Sequence, residues 1–260
     1  MSRYHFLKGH GLFLCCLLLS LLIVLSPVFA NDTDARLQEI FEKGWALESR
    51  MHIDLSNLDK ARALYEEAIR IAPENAEAKR WLAEIIFKQA EEENDKRKKV
   101  AMYEQAATLA ERAIAINPES VAGFYWAGTA NARLADLTWF ASALSRVNKA
   151  KEYLQTAIDT DTTNRYAVLA GVVLAAIYAD APWPVKDMDR AVELAQWAVS
   201  QDRNLTFASL RLGKIYLANG EKEKAVKTLE RCLNTENPTY IWDAELYDWP
   251  EAKKILSEIK

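Results

Sequence analysis

Residues that could carry out nucleophilic or metal chemistry are few in this chain. Its 260 residues include three histidines and three cysteines, and beyond residue 30 only His52 and Cys232 remain. One histidine and one cysteine cannot make the cluster that a zinc site needs, and no Gly-x-Ser-x-Gly turn offers a serine nucleophile. No glycine-rich phosphate loop follows a strand pattern. We therefore predict a protein that is not an enzyme and that uses no cofactor or metal.

The first 30 residues differ from the rest. Arg3 and Lys8 precede an apolar run over residues 12–25, and small residues lead up to Ala30, as at a signal-peptidase site. This pattern predicts a signal peptide over residues 1–30 and a periplasmic or secreted protein. An uncleaved membrane anchor is the alternative, since a run extended to Ala30 nearly spans a bilayer core of about 30 Å.

The remaining chain is acidic. Removing residues 1–30 lowers Lys plus Arg from 33 to 31 and leaves Asp plus Glu at 37, so the formal net charge is −6 (31 − 37). An acidic chain does not favour nucleic acid. Since a single cysteine cannot form an internal disulfide, the fold must depend on packing.

Five stretches repeat one helical pattern, in which two small residues lie seven positions apart. These pairs are Ala61 and Ala68, Ala106 and Ala113, Ala150 and Ala157, Ala191 and Ala198, and Ala225 and Cys232. Small residues at fixed spacing let a second helix approach closely. Cys232 occupies such a position, so we predict a buried packing role for it and not a reactive thiol.

The last stretch also carries the helix that pairs with this pattern. Leu212-Gly213 and Tyr216, followed by Ala225 and Leu229, give L-G-x2-Y and A-x3-L, and the chain therefore resembles a tetratricopeptide repeat protein. That resemblance implies an all-α fold of about five antiparallel helix pairs in a right-handed superhelix with a C-terminal capping helix. The first four patterns begin 45, 44 and 41 residues apart, so the middle repeats are lengthened relative to the usual period of about 34 residues.

The repeat frame sets the predicted domain boundaries. A repeat domain over residues 31–242 follows the signal peptide, and residues 243–260 hold the capping helix, preceded by an acidic turn at 243–248. The predicted units are residues 35–73, 76–118, 121–162, 164–203 and 206–238. Gly171 can be aligned in two registers of the fourth unit.

The resemblance also implies which side chains face the concave groove. By position in the repeat these are Arg80, Glu84, Lys88, Tyr125, Thr129, Arg133 and Lys214, with Arg165 as a further member. A row of cations from four repeats would suit a carboxylate, such as a peptide C-terminus. Alternatively, these residues are ordinary exposed helix positions.

Two aromatic loops leave their roles open. Trp139 either forms an exposed contact or fills the gap between two long helices, and residues 181–184, with Trp183 between two prolines, either cover the mouth of the groove or hold a helix pair together.

Two functions from different classes fit these observations. The first is an exported, non-catalytic scaffold that binds a protein or peptide of the cell envelope in its groove. The second is a small-ligand-binding accessory of a solute transporter, because the chain also resembles exported bacterial tetratricopeptide proteins of the TRAP-transporter T-component type. In that case the apolar stretch over residues 166–178 would line a cavity.

Overall fold

The computed structural model of this protein describes residues 32–259, without the side chains of residues 140 and 141. The predicted signal peptide, residues 1–30, lies outside this part. The described part is helical and contains no strand. Its first ten helices form five pairs: α1 (32–48) with α2 (Ser56–Ile71), α3 (Ala76–Glu92) with α4 (Lys96–Ile116), α5 (Val121–Leu137) with α6 (Phe140–Thr160), α7 (Arg165–Asp180) with α8 (Met188–Gln201), and α9 (Thr206–Ala218) with α10 (Lys222–Leu233).

A final helical stretch follows the five pairs. It comprises α11 (Ile241–Asp243), a π-helical turn (Ala244–Asp248) and α12 (Trp249–Ile259). The acidic turn predicted at residues 243–248 is therefore wrong, because these residues continue the helix. Among residues 32–259, no helix combines the length and the apolarity needed to cross a bilayer.

Polar side chains fix where several helices begin. The side chains of Asn75, Asp95, Ser120, Asn164 and Asp187 each accept a hydrogen bond from a backbone N–H in the first turn of the helix that follows. An N-cap of this kind stabilises a helix by about 1 kcal/mol. These caps fix the first residues of α3, α4, α5, α7 and α8.

The small residues of the repeat pattern lie where the helices of each pair meet. All ten are fully buried. On the partner helices, a Cβ added to Gly128 would lie 2.7 Å from Cγ of Leu154, and one added to Gly213 would lie 2.7 Å from Cγ of Leu229. Cys232 is buried as predicted, and burial, with Asp248 nearby, raises the pKa of its thiol to about 12.

The fourth pair departs from this frame. Gly171 faces α8, and a Cβ there would lie 2.4 Å from the ring of Trp197. In the third and fifth pairs, Gly128 and Gly213 instead face a leucine that comes four residues after the first alanine of the small-residue pattern. Trp197 comes six residues after Ala191. Gly171 therefore makes room for a tryptophan particular to this repeat, and neither simple alignment of the sequence describes its register.

Helices α3, α5, α7 and α9 contact one another in series and form the inner layer of the superhelix, while the second helix of each pair packs outside them. The predicted capping helix is confirmed: Ala252 and Leu256 of α12 pack with Leu229 and Cys232 of α10. The order of the elements thus turns one face of the first helix of each repeat towards a common concave side.

The packing of Gly128 can be tested by substitution. We expect Gly128→Ala to destabilise the protein by about 1–3 kcal/mol, the usual cost of overpacking, because the new Cβ would also lie 3.2 Å from the Ala150 carbonyl oxygen. Urea unfolding measures the change. The exposed Asp159→Ala on α6 is the control and should change stability by about 0.5 kcal/mol or less. Equal changes in both variants would contradict the packing role.

Candidate functional site

Residues 239–248, here named the C-terminal strap, are anchored at the fifth repeat. The Thr239 hydroxyl donates to an Asp202 carboxylate oxygen over 2.7 Å. At the other end, the Thr206 hydroxyl donates to Asp248 over 2.6 Å, and Asp248 is buried. Both anchors lie around the start of α9, so the strap leaves and rejoins the repeat array at the same place.

Between these anchors the strap reaches the first two repeats. The Trp242 ring lies edge-on to Trp45 of α1, with ring centroids 5.3 Å apart, and the Lys88 ammonium lies 5.5 Å from the Trp242 ring centroid. The Tyr247 hydroxyl donates to Glu92 at the end of α3. The strap therefore crosses the concave side from the fifth repeat to the first.

A central cavity of about 590 Å³ remains between the strap and the inner helices. One part of its wall is aromatic and another is the apolar face of α7. The aromatic part includes Trp45, Phe87, Tyr125, Trp126, Tyr166, Tyr240 and Trp242, and the α7 part includes Leu169, Val173, Ala176 and Ile177. Ala181 and Pro182, from the loop whose role the sequence left open, also line it. Within residues 32–259, no three His, Cys, Asp or Glu side chains are grouped to hold a metal ion.

A buried chain of alternating charges lies beneath the cavity. Lys88 is 2.5 Å from Glu48 and 3.6 Å from Glu84. Arg80 is 3.2 Å from Glu84, and the Tyr166 hydroxyl donates to the same carboxylate over 3.0 Å. Arg80 and Glu84 are buried, and so is Glu48. Three predicted groove residues thus belong to an internal network that joins α1, α3 and α7.

Burial and mutual attraction oppose each other in this network. Burial, together with Glu84, raises the pKa of Glu48 against the influence of Lys88. Burial also works against the charge of Lys88, but Glu48 and Glu84 outweigh it and raise its pKa. For Glu84 the attraction of Lys88 and Arg80 exceeds the effect of burial and lowers its pKa. Lys88 therefore stays charged between the two carboxylates.

Two more of the predicted cations already have carboxylate partners. Arg133 donates from Nε and Nη2 to the two oxygens of Glu91, each over 2.9 Å. Lys214 is 2.5 Å from Glu251 of α12 and does not line the cavity, whereas Arg133 does. The predicted row of groove cations is therefore largely neutralised from within the chain.

The other predicted residues line the cavity. Arg165 makes no ion pair with a described carboxylate; it donates to the Tyr166 hydroxyl over 2.8 Å and lies 5.0 Å from the Trp45 ring centroid. Tyr125 and Thr129 are buried in the α5 wall. Six of the eight predicted residues thus come together at the cavity, while Arg80 lies in the network below and Lys214 outside.

Sequence reasoning missed Arg211 and the strap. Arg211 lies two residues before Gly213, as Trp126 lies two residues before Gly128, and both side chains line the cavity. This shared position was the available signal. The sequence contained no comparable signal for the strap, because the aromatic residues after Pro238 do not follow the repeat pattern.

Comparisons with known proteins agree with the helical repeat fold. The tetratricopeptide repeat model matches residues 207–236. The crystal structure of TTC0263, a thermophilic tetratricopeptide protein of Thermus thermophilus, superposes with a TM-score of 0.64 at 17% identity, over 84% of this chain and 99% of that one. The chain therefore has the fold of a tetratricopeptide repeat protein, and residues 207–236 match the repeat itself. The predicted all-α superhelix of antiparallel pairs is confirmed.

Two further matches concern parts of the fold. PilF of Pseudomonas aeruginosa superposes with a TM-score of 0.58 at 14% identity, over 88% of the tetratricopeptide chain described here and 90% of its own. A model described as regulator of microtubule dynamics protein 1-3 matches residues 46–171, which is 126 of 260 residues and stops before α9 and the strap. No curated protein sequence matches.

The buried charge chain should be sensitive to loss of its central cation. We expect Lys88→Met to destabilise the protein by about 3–5 kcal/mol, because two buried carboxylates lose their shared partner. Lys43→Met is the control, since Lys43 pairs with Glu39 on the surface of α1 and should contribute about 1 kcal/mol or less. Chemical denaturation compares the two. A similar small loss in both would contradict a structural role for the network.

The strap anchor should depend on pH. Burial raises the pKa of Asp248 to about 7, above its unfolded value of about 3.9. Its contribution to stability is therefore full below about pH 4 and is lost as the pH rises towards 7. Urea unfolding between pH 4 and pH 7 tests this. The free energy of unfolding of Asp248→Asn should rise, relative to that of wild type, by about 1.4 kcal/mol for each pH unit in this window. The exposed Asp159→Asn controls for the loss of one charge, and a constant difference for Asp248→Asn would contradict the prediction.

Proposed function

We propose that this tetratricopeptide repeat protein is a non-catalytic binding protein whose central cavity holds a small molecule. The strap is the observation that carries the proposal. It crosses the concave side, where an extended peptide would otherwise lie, and leaves a cavity of about 590 Å³. Small-molecule pockets usually have volumes of about 300–1,000 Å³.

The cavity wall supports a ligand with an apolar body. Leu169, Val173 and Ile177 of α7 face it together with aromatic rings from α1, α3, α5 and the strap. The charges below this wall are already paired within the chain, so they make little demand on a ligand. Burial of apolar surface would then supply most of the affinity, at about 25 cal/mol per Å².

The N-terminal pattern supports export as a second part of the proposal. A protein that carries a small molecule in the periplasm would deliver it to, or receive it from, a membrane transporter. This is the accessory role of a transporter T component.

Binding of a protein partner is the second candidate, and two exposed tryptophans favour it. Trp139 is 89% exposed and Trp183 is 85% exposed. Each lies in the loop between the two helices of its repeat, and the two repeats are adjacent. The partner would therefore contact the edge of the superhelix and not its groove. In this role the protein would be a scaffold in the cell envelope.

Native mass spectrometry tests the small-molecule proposal. We expect wild type purified without denaturant, then incubated with an extract of periplasmic metabolites, to retain a small molecule that denaturation releases. Val173→Trp should lose it, because the indole would occupy the cavity. Lys227→Trp, at an exposed position of α10, should retain it. Equal retention by Val173→Trp, or no retention by wild type, would contradict the proposal.

A further inference from the structure

Three charged side chains meet at one end of the central cavity. Asp136 lies in the last turn of α5, Asp180 is the final residue of α7, and Arg211 lies on α9. All three line the cavity. Neighbouring inner helices run in the same direction through the repeats, so their C-terminal ends come to the same edge. Asp136 and Asp180 lie close enough there to repel each other.

These three side chains lack partners within the described part of the chain. Asp136 and Asp180 make neither a hydrogen bond nor an ion pair there, and Arg211 makes none either. Nε of Arg211 is buried without an acceptor, and its guanidinium lies 5.5 Å from the Phe207 ring centroid. A buried donor without an acceptor is destabilising, so a bound acceptor would be stabilising.

The nearby charged groups do not remove this requirement. Arg133 is engaged by Glu91, Glu251 by Lys214, and Asp248 by Thr206. Arg211 is thus left without a salt bridge to the carboxylates around it.

The electrostatics of the three groups favour two opposite ligand charges. Burial, followed by Arg133, lowers the pKa of Arg211, and the attraction of Asp180, Glu251 and Asp248 opposes this only in part. An anion beside Arg211 would therefore stabilise its positive charge further. The pKa of Asp136 is raised by burial and, to a smaller extent, by the charge of Asp180, although Arg133 lowers it. A cation between the two aspartates would therefore be attracted, and the negative ends of α5 and α7 add to that attraction.

A ligand with only one kind of charge fits this end of the cavity poorly. A carboxylate at Arg211 would also meet the repulsion of two aspartates, and an ammonium at the aspartates would leave Arg211 without an acceptor. A group that carries both charges close together satisfies both requirements. The apolar wall begins next to them, at Ile177 of α7.

We propose that this end of the cavity binds a zwitterionic head group, with the ligand's ammonium between Asp136 and Asp180 and its carboxylate on Arg211, while an apolar body lies against α7. An apolar amino acid or a short apolar peptide has this chemistry. The inference rests on the proposed function, because it requires that the cavity holds a small molecule.

Three probes that share one apolar body test the inference by calorimetry. They are phenylalanine, which has both charges, 2-phenylethylamine, which has only the ammonium, and 3-phenylpropionate, which has only the carboxylate. We expect phenylalanine to bind at least about tenfold more tightly than either, since one charge-assisted hydrogen bond contributes about that factor. Tighter or equal binding of 3-phenylpropionate would overturn the proposal.

Two variants test which side chain binds each charge of the ligand. Arg211→Gln should remove the advantage of phenylalanine over 2-phenylethylamine, and Asp180→Asn should remove its advantage over 3-phenylpropionate. Lys227→Gln, exposed on α10, should leave all three affinities unchanged. Circular dichroism checks that each variant is folded. If both advantages survive in folded Arg211→Gln and Asp180→Asn, the assignment is wrong.

The outcome separates this inference from the function on which it rests. If native mass spectrometry identifies a retained molecule without an ammonium group, the proposed zwitterionic ligand is wrong, but the small-molecule function is still supported. The absence of any retained molecule, together with no binding of the three probes at millimolar concentration, would overturn both.

Discussion

A buried chain of alternating charges determines how the repeats of this protein meet. Arg80, Glu84 and Lys88 follow one another at four-residue spacing, so they share one face of α3, and α1 and α7 bring Glu48 and Tyr166 to them. Ions removed from water must be matched by close partners. The three helices are therefore held in one relative position, and the same lysine lies beneath Trp242, the strap tryptophan that lines the cavity.

The repeat architecture could be predicted because its cause is local. The spacing of Ala225 and Leu229 opposite Leu212 and Gly213 describes how two neighbouring helices approach, and both helices lie within 30 residues of chain. Any sequence that must pack two helices this closely shows small residues at these positions. The same argument predicted the burial of Cys232.

The site could be predicted only in part, because its partners come from distant repeats. Charged residues spaced four apart give the same sequence pattern whether they face water or an internal carboxylate. The residues near Lys88 therefore did not indicate its pairing with Glu48. The same holds for Arg133 and Glu91. The fold supplies the groove positions, and the long-range pairs determine which of them remain available to a ligand.

The strap also constrains the order in which this protein can assemble. Tyr247 meets Glu92 across 155 residues, a separation far longer than any contact within one repeat. Contacts between neighbouring repeats can form as the chain emerges, because each repeat needs only the next one. The loop-closing contacts come late, since they incur the entropy of ordering everything between them. During synthesis the chain would thus pass through an open array of repeats, with its aromatic inner face uncovered until the strap residues have been added and packed.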